Sequence, residues 1–155
     1  MFKLKYFIII LLSLITGGCA DKKCANDEFE NINISLKSML NPDINFNYSY
    51  DEELLNIKII DVFGELDEEK AIIIKKNHYI TNALCFLKYS TKTIYEFDYV
   101  DDGLFLFISF EDAQGIKYDF SFHRFPPNDN FESIKKIDKS LYVLITRLLK
   151  LTNEK

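Results

Sequence analysis

The sequence predicts a single α+β domain over residues 26–155, in which helices pack on an antiparallel sheet of about three to five strands. Two patterns predict this fold class. Polar and apolar residues alternate in several segments, which is typical of half-buried strands, and apolar residues recur at steps of three and four in others, which is typical of helices. The 14 Phe and 9 Tyr residues supply apolar surface for a core.

A helix is expected at the start of this domain. Asn26 or Asp27 can cap it, and Pro42 closes the segment just after residue 40. The apolar residues with helical spacing are Phe29, Ile32, Leu36 and Leu40.

The next two segments are expected to form neighbouring strands. In residues 44–50, aliphatic and aromatic residues alternate with Asn and Ser. Residues 51–53 are expected to form the turn between the strands. Residues 54–63 are rich in β-branched side chains and suit a partner strand. A helix that starts near Asp51 is the alternative that the sequence leaves open.

Residues 67–88 are expected to form a second helix. Asp67, Glu68 and Glu69 lie at its start, where the helix dipole favours negative charge. Its main apolar stripe consists of Ile73, Ile80, Leu84 and Leu87.

Three strands are expected to follow as an antiparallel meander, over residues 93–100, 104–110 and 116–125. The middle segment is apolar on nearly both faces, which predicts a central strand. Gly103 is expected to take a positive φ in the turn before it, and residues 112–115 are expected to form the next turn.

The last segment predicts a long C-terminal helix. Asp129 and Glu132 have the spacing of a helix cap. The alternative is an amphipathic helix that lies on a membrane surface, although such helices favour a strongly basic polar face. The residues at helical spacing are Ile134, Ile137, Leu141, Leu144, Leu148 and Leu151.

The first 18 residues are organised as a secretory signal peptide. Lys3 and Lys5 give a positive start, residues 6–15 are almost entirely apolar, and small residues follow. A helical segment of this length rises about 15 Å, half of the roughly 30 Å apolar core of a bilayer. The segment is therefore too short for a permanent membrane span.

The run Thr16-Gly17-Gly18-Cys19 resembles the lipobox of bacterial lipoproteins, in which small residues precede a lipid-bearing cysteine. The resemblance implies that the Cys19 thiol receives diacylglycerol, that cleavage removes residues 1–18, and that the new amine is acylated, for example with palmitate. Thr16 departs from the aliphatic residue that is usual at its position. The resemblance covers about 20 residues and implies nothing about the mature domain.

Lipidation would anchor the chain to a membrane of the cell envelope, with residues 19–25 as the lipidated Cys and a short tether. Ala20 stands where this class has Asp as an inner-membrane retention signal. The outer membrane is therefore expected if the bacterium has two membranes. The alternative is a conventional signal peptide that is cut near Gly18 or Ala20, with Cys19 incidental.

The net charge of the chain indicates which class of macromolecule it can bind. Without residues 1–18, the chain keeps 17 basic and 24 acidic residues, a net charge of −7. Nucleic-acid binding depends on basic surface, so no nucleic-acid partner is expected.

The other two cysteines, Cys24 and Cys85, could form a disulfide in an oxidising compartment if Cys19 carries lipid. The alternative is that Cys85, in the apolar run 83–87, is an ordinary small core residue.

No residue pattern points to a catalytic or metal site. His78 is expected on the polar side of a helix, and neither histidine has a metal-ligand spacing. Asp119, Ser121 and His123 share one strand face, but successive residues on one face lie about 6–7 Å apart, beyond hydrogen-bond distance. We interpret them as the polar outer face of a strand, and we expect no metal and no cofactor.

These observations favour a non-enzymatic binding or adaptor module, anchored in the envelope through Cys19 and free to meet a protein partner. An immunity protein or inhibitor of an exported toxin or enzyme is the second hypothesis. An envelope-acting enzyme with a polar cleft around His123 is the third.

Overall fold

A computed structural model describes residues 28–38, 41–49, 51–75, 78–97, 103–125 and 131–153. The predicted signal peptide and tether lie outside these ranges. The described strands are β1 (Phe29–Lys37), β2 (Asp43–Ser49), β3 (Leu54–Ile60), β4 (Leu66–Ile73), β5 (Ile94–Glu96), β6 (Leu104–Asp112) and β7 (Lys117–Phe125). The described helices are α1 (His78–Lys88), α2 (Glu132–Ile137) and α3 (Lys139–Asn153).

The strands form one seven-stranded sheet in the order β4-β3-β2-β1-β6-β7-β5. Every neighbouring pair is antiparallel except β5 and β7, which are parallel. The predicted α+β class is confirmed, but the sheet is larger than the expected three to five strands.

Helices cover one face of this sheet. Alternate side chains of the strands and the apolar sides of α1 and α3 join in a single buried cluster. The strand residues on the other face are exposed or half-buried, and we call it the open face. Members of the buried cluster include Ile34, Leu106, Ile108 and Phe122 from the sheet and Leu84, Leu87, Leu141 and Leu144 from the helices.

The expected N-terminal helix is wrong, because residues 29–37 form β1. Ile32, Ile34 and Leu36 are buried at the strand period of two. A β-bulge between Glu30 and Asn33, with Asn31 at φ 50°, shifts the alternation by one residue. Phe29 and Ile32 therefore face the core three residues apart, which imitates helical spacing. Residues 26, 27, 39 and 40 of the expected helix lie outside the described ranges.

The strand predicted over residues 44–50 is confirmed over residues 44–49 as part of β2, and residue 50 lies outside the described residues. Residues 51–53 form a turn as expected. Residues 54–60 form β3, so the alternative of a helix from Asp51 is wrong. β3 pairs along its length with β2 and β4, and Leu55 and Ile57 are buried in the core.

The helix predicted over residues 67–88 is wrong in its first half. Residues 66–73 form β4 at the edge of the sheet, and α1 starts only at residue 78. The acidic residues interpreted as a helix start instead lie on an edge strand, where charged side chains discourage pairing with another chain. Glu69 forms an ion pair with Lys58 of β3, at 3.0 Å. The later part of the predicted stripe, Ile80, Leu84 and Leu87, is buried on α1.

The expected meander of three strands is wrong only in its first strand: β6 and β7 pair as an antiparallel hairpin as expected, but β5 does not pair with β6. Residues 98–100 of the first predicted strand lie outside the described residues. β6 is a central strand as predicted, but it lies between β1 and β7. β5 spans only residues 94–96 and pairs in parallel with the far side of β7. A parallel pair needs a longer connection than a tight turn, and here β6 and the hairpin to β7 intervene.

Gly103 does not take the expected positive φ. A Cβ at this position would lie 2.6 Å from the Arg124 Cα, so a side chain is excluded by the close approach of β7. The register of β6 and β7 shifts next to this contact, and Arg124 itself has φ 57°. In the turn at 112–115, Gly115 takes a positive φ of 73°.

The C-terminal segment forms two helices, whereas one was expected. Asp138 is extended between them and its Oδ1 accepts the Leu141 N–H at 2.8 Å, so it caps α3. Phe131 precedes α2 and makes no side-chain cap hydrogen bond. Glu132 pairs with Lys135 at 2.8 Å, and Asp129 lies outside the described residues.

The apolar side of α3 belongs to the core. Leu141 is fully buried and Leu144 is 4 % exposed, so the alternative of a helix lying on a membrane surface is wrong. Among the described residues, no helix combines the length and apolar character needed to cross a bilayer.

Candidate functional site

The open face carries a continuous row of polar side chains across five strands. Register places Asn56 beside Asn47, Asn47 beside Asn33, Asn33 beside Ser109, and Ser109 beside Asp119. Side chains that lie opposite each other on one face of a sheet are close enough to interact. The row therefore runs from β3 through β2, β1 and β6 to β7.

On β1 and β2 these side chains bond to one another. The Asn47 side-chain amide donates to the Asn33 Oδ1 at 2.6 Å. The Ser35 hydroxyl donates to the Asn45 Oδ1 at 2.6 Å. This half of the open face thus already uses part of its hydrogen-bonding capacity.

A concavity of about 480 Å³ lies over β1, β5, β6 and β7 on the open face. Its lining includes Ser109, Asp119 and Ser121. Within the described part of the chain, these three side chains make no hydrogen bond or ion pair. Their hydroxyl and carboxylate groups are thus available to a bound molecule.

Apolar groups border these polar ones. Phe107 lies opposite Ser121, and Ser121 lies opposite Ile94 on the parallel strand. Phe107 is 38 % exposed and Ile94 is 53 % exposed. The concavity therefore offers both apolar contact and hydrogen bonds, a combination typical of small-molecule sites.

The residues considered as a catalytic set are not joined. The ring of His123 packs against Phe105 and Phe107, at centroid distances of 5.7 and 6.1 Å. No hydrogen bond connects Asp119, Ser121 and His123 in the described structure. The described residues also contain no group of three His, Cys, Asp or Glu side chains placed to hold a metal ion. His78 is the first residue of α1.

Asp112 is a buried carboxylate at the end of β6, only 3 % exposed. Its Oδ1 accepts the backbone N–H groups of Gln114 and Ile116, both at 3.0 Å. Its Oδ2 accepts the Tyr118 hydroxyl at 3.1 Å and lies 3.3 Å from the Lys88 Nζ. Asp112 thus shapes the turn from β6 to β7 and fixes the last turn of α1 against it.

Burial by itself would raise the pKa of the Asp112 carboxyl. The hydrogen bonds from the two backbone N–H groups, and then those from Lys88 and Tyr118, outweigh burial and lower this pKa below its ordinary value. Burial and the bond to Asp112 raise the pKa of the Tyr118 hydroxyl. Asp112 is therefore an anion in the folded protein at neutral pH and has a structural role.

Cys85 of α1 is disulfide-bonded. The chain has only two other cysteines, Cys19 and Cys24, and both lie outside the described residues. Lys88 follows Cys85 by about one turn of α1, and its Nζ is 6.0 Å from the centre of the Phe29 ring. This part of α1 therefore lies near the start of β1. The chain between Cys24 and Phe29 spans at most about 17 Å, so it is long enough to reach this part of α1. The bridge between Cys24 and Cys85 stays a prediction.

Comparison of the chain with protein-family models, with curated proteins and with solved structures finds no match.

We expect Asp112→Asn to destabilise the protein and to change its response to acid. Because folding lowers the pKa of Asp112, the carboxylate stabilises the fold at pH values above the unfolded pKa of about 3.9. This contribution disappears as the pH falls through the folded pKa. Denaturant unfolding between neutral pH and pH 2 should show a smaller loss of stability for the variant than for the parent. The exposed Asp119→Asn is the matched control, and equal acid sensitivity of Asp112→Asn and the parent would contradict the assignment.

We expect Cys24 to be the disulfide partner of Cys85, because Cys19 would have no free thiol if it carries lipid as the sequence predicts. In Cys24→Ser, Cys85 should react with an alkylating reagent without reductant, whereas in Cys19→Ser it should stay protected. Peptide mass analysis reads out both variants. The bridge closes a loop of about 60 residues, so its loss should cost roughly 4 kcal/mol of stability. A peptide of Cys24→Ser in which Cys85 is linked to Cys19 would assign the bridge to Cys19 and contradict lipidation.

Proposed function

We propose that this chain is a lipid-anchored, non-enzymatic binding protein of the bacterial cell envelope, which holds an oligosaccharide in the concavity on the open face. The observation that carries the binding role is the group formed by Ser109, Asp119 and Ser121. These polar side chains line a concavity and, among the described residues, have no partner of their own.

The chemistry of the lining favours a neutral, hydroxylated ligand. Serine hydroxyls both donate and accept hydrogen bonds, and a carboxylate accepts several, which suits ligand hydroxyls that do both. The exposed Phe107 ring and Ile94 can pack against the C–H surfaces of a sugar ring. The volume, about 480 Å³, falls within the range of roughly 300–1,000 Å³ that is usual for small-molecule sites. Cell-wall glycan is a source of such ligands in the envelope.

The anchoring half of the proposal rests on residues 16–19 and their resemblance to a lipobox. Two or three acyl chains give a stable membrane anchor, whereas one chain alone binds reversibly. An anchored protein stays in the envelope at high local concentration near the ligand. The outer membrane is the proposed location if the bacterium has two membranes, because Ala20 follows the cysteine.

The second candidate function is an immunity protein or inhibitor that binds an exported toxin or enzyme. The turn between β3 and β4 favours it. This turn exposes Phe63 at 87 % within an acidic segment, and an exposed aromatic side chain is typical of protein-binding surfaces.

Cys19→Ser tests the anchor. The variant should lose metabolic labelling with palmitate, and its signal peptide should stay uncut or the protein should become soluble. Cys24→Ser should keep the label and serves as the matched control. Normal processing and membrane attachment of Cys19→Ser would contradict lipidation.

Substitutions in the concavity test the ligand site. Isothermal titration with soluble glycan fragments from muramidase-digested cell wall should detect binding to the parent protein. Asp119→Ala and Ser121→Ala should each weaken it by roughly ten-fold, the equivalent of about 1.4 kcal/mol for a lost hydrogen bond. Asn56→Ala, on the open face but outside the concavity, should bind like the parent. Absence of binding to the parent, or an equal effect of all three variants, would contradict the oligosaccharide site.

A further inference from the structure

The turn between β3 and β4, together with Leu66 at the start of β4, exposes three apolar side chains within five residues. Phe63 is 87 % exposed, Leu66 is 58 % exposed and Val62 is 55 % exposed. We call residues 62–66 the apolar turn. Large apolar side chains grouped on a protruding turn are unusual on a soluble surface unless they meet a partner.

The apolar turn is held in one conformation by Asp61. The Asp61 Oδ1 accepts the backbone N–H of Phe63 at 2.9 Å and that of Glu65 at 2.8 Å. The Asp61 N–H donates to the Glu65 carbonyl at 2.8 Å, and the Asp61 carbonyl accepts the Gly64 N–H at 3.1 Å. Gly64 has φ 86°, in the left-handed region that glycine adopts readily. Binding through this turn would therefore lose little backbone entropy.

Acidic side chains surround the apolar turn. Residues 61–69 contain no basic residue and five acidic ones: Asp61, Glu65, Asp67, Glu68 and Glu69. Lys58 pairs with Glu69 at 3.0 Å and Lys70 with Glu68 at 3.5 Å. Glu65 and Asp67 have no ion pair among the described residues. The region thus presents an aromatic tip with uncompensated negative charge beside it.

We propose that the apolar turn docks into a partner protein whose apolar pocket takes the Phe63 ring and whose rim carries Lys or Arg side chains that face Glu65 and Asp67. The negative charge beside Phe63 favours such a basic partner protein over two other binding partners, a membrane surface and a second copy of this chain. An anionic bilayer surface attracts basic segments and would repel this acidic turn. A second copy would bring the same acidic edge strand against itself, and like charges would oppose that contact.

This surface is separate from the concavity. The apolar turn connects β3 and β4 at one edge of the sheet, whereas the concavity lies over β1, β5, β6 and β7, with β2 between them. The proposal therefore does not depend on which ligand the concavity binds, and each can be tested without the other.

The test places the photoreactive residue p-benzoylphenylalanine at position 63 of the full chain in its own bacterium. The control position is Ile116, which is 49 % exposed and lies in the turn before β7, two strands beyond β1 in the sheet. The expected result is one protein cross-linked from position 63 and absent from position 116. That protein is then identified by mass analysis, purified, and titrated with the uncross-linked parent and variants.

With the purified partner, Phe63→Ala should weaken binding by roughly 30-fold, as for a buried aromatic anchor, while Ile116→Ala leaves it unchanged. Glu65→Lys with Asp67→Lys should slow association, and this effect should shrink as salt rises. Thermal melts should show that Phe63→Ala leaves stability unchanged, because its ring is exposed. Cross-links only to a second copy, only to lipid, or equally from both positions would overturn the proposal. So would binding that is insensitive to Phe63→Ala.

Discussion

One constraint shapes most of this structure: the described helices all pack on the same face of the sheet. The inner strands must therefore place apolar side chains on that face, and most of the side chains on the other face are polar, with Phe107 of β6 as an exposed exception. The β-bulge at Asn31 follows from this requirement, because it keeps both Phe29 and Ile32 in the core while the polar residues between them stay outside. The polar row on the open face is the other consequence of the same alternation.

The regular alternation of β2 and β7 predicted both strands, the continuous apolar run of β6 predicted a central strand, and the β-branched residues of β3 predicted a strand there. β1 could not be predicted, because its bulge produces a spacing of three that local pattern cannot distinguish from a helix. β4 could not be predicted, because it is an edge strand with most of its side chains exposed. Its residues therefore lack the alternation of apolar and polar side chains that identifies a half-buried strand. The long apolar stripe of the C-terminal segment predicted one long core helix. The segment is divided into α2 and α3, because the Asp138 side chain accepts the Leu141 N–H and caps a new helix there.

The candidate site depends on sheet order, which sequence patterns do not contain. The concavity forms because β1 lies beside β6 and because β5 pairs in parallel with β7. These pairings bring together Asn33, Ser109, Asp119 and Ile94 in its lining. The alternation did predict that Asp119 and Ser121 share a face, but not that they lack partners among the described residues. Phe63 was missed because the predicted strand over residues 54–63 extended three residues beyond Ile60, which made an exposed turn residue resemble core.

The directions of the strands determine at which end of the sheet the tether and the apolar turn lie. Phe29 is the first residue of β1, and the Lys88 side chain at the end of α1 lies near both the Phe29 ring and Asp112. Cys85 precedes Lys88 by about one helical turn, so it belongs to the same end of the sheet. A bridge from Cys24 would hold the tether at this end of the sheet. β1 and β3 run in the same direction, and β3 leads to the apolar turn, so that turn lies at the opposite end. Because a strand of this length spans roughly 25–30 Å, a protein anchored through Cys19 would hold its acidic aromatic tip away from the attachment point of its tether.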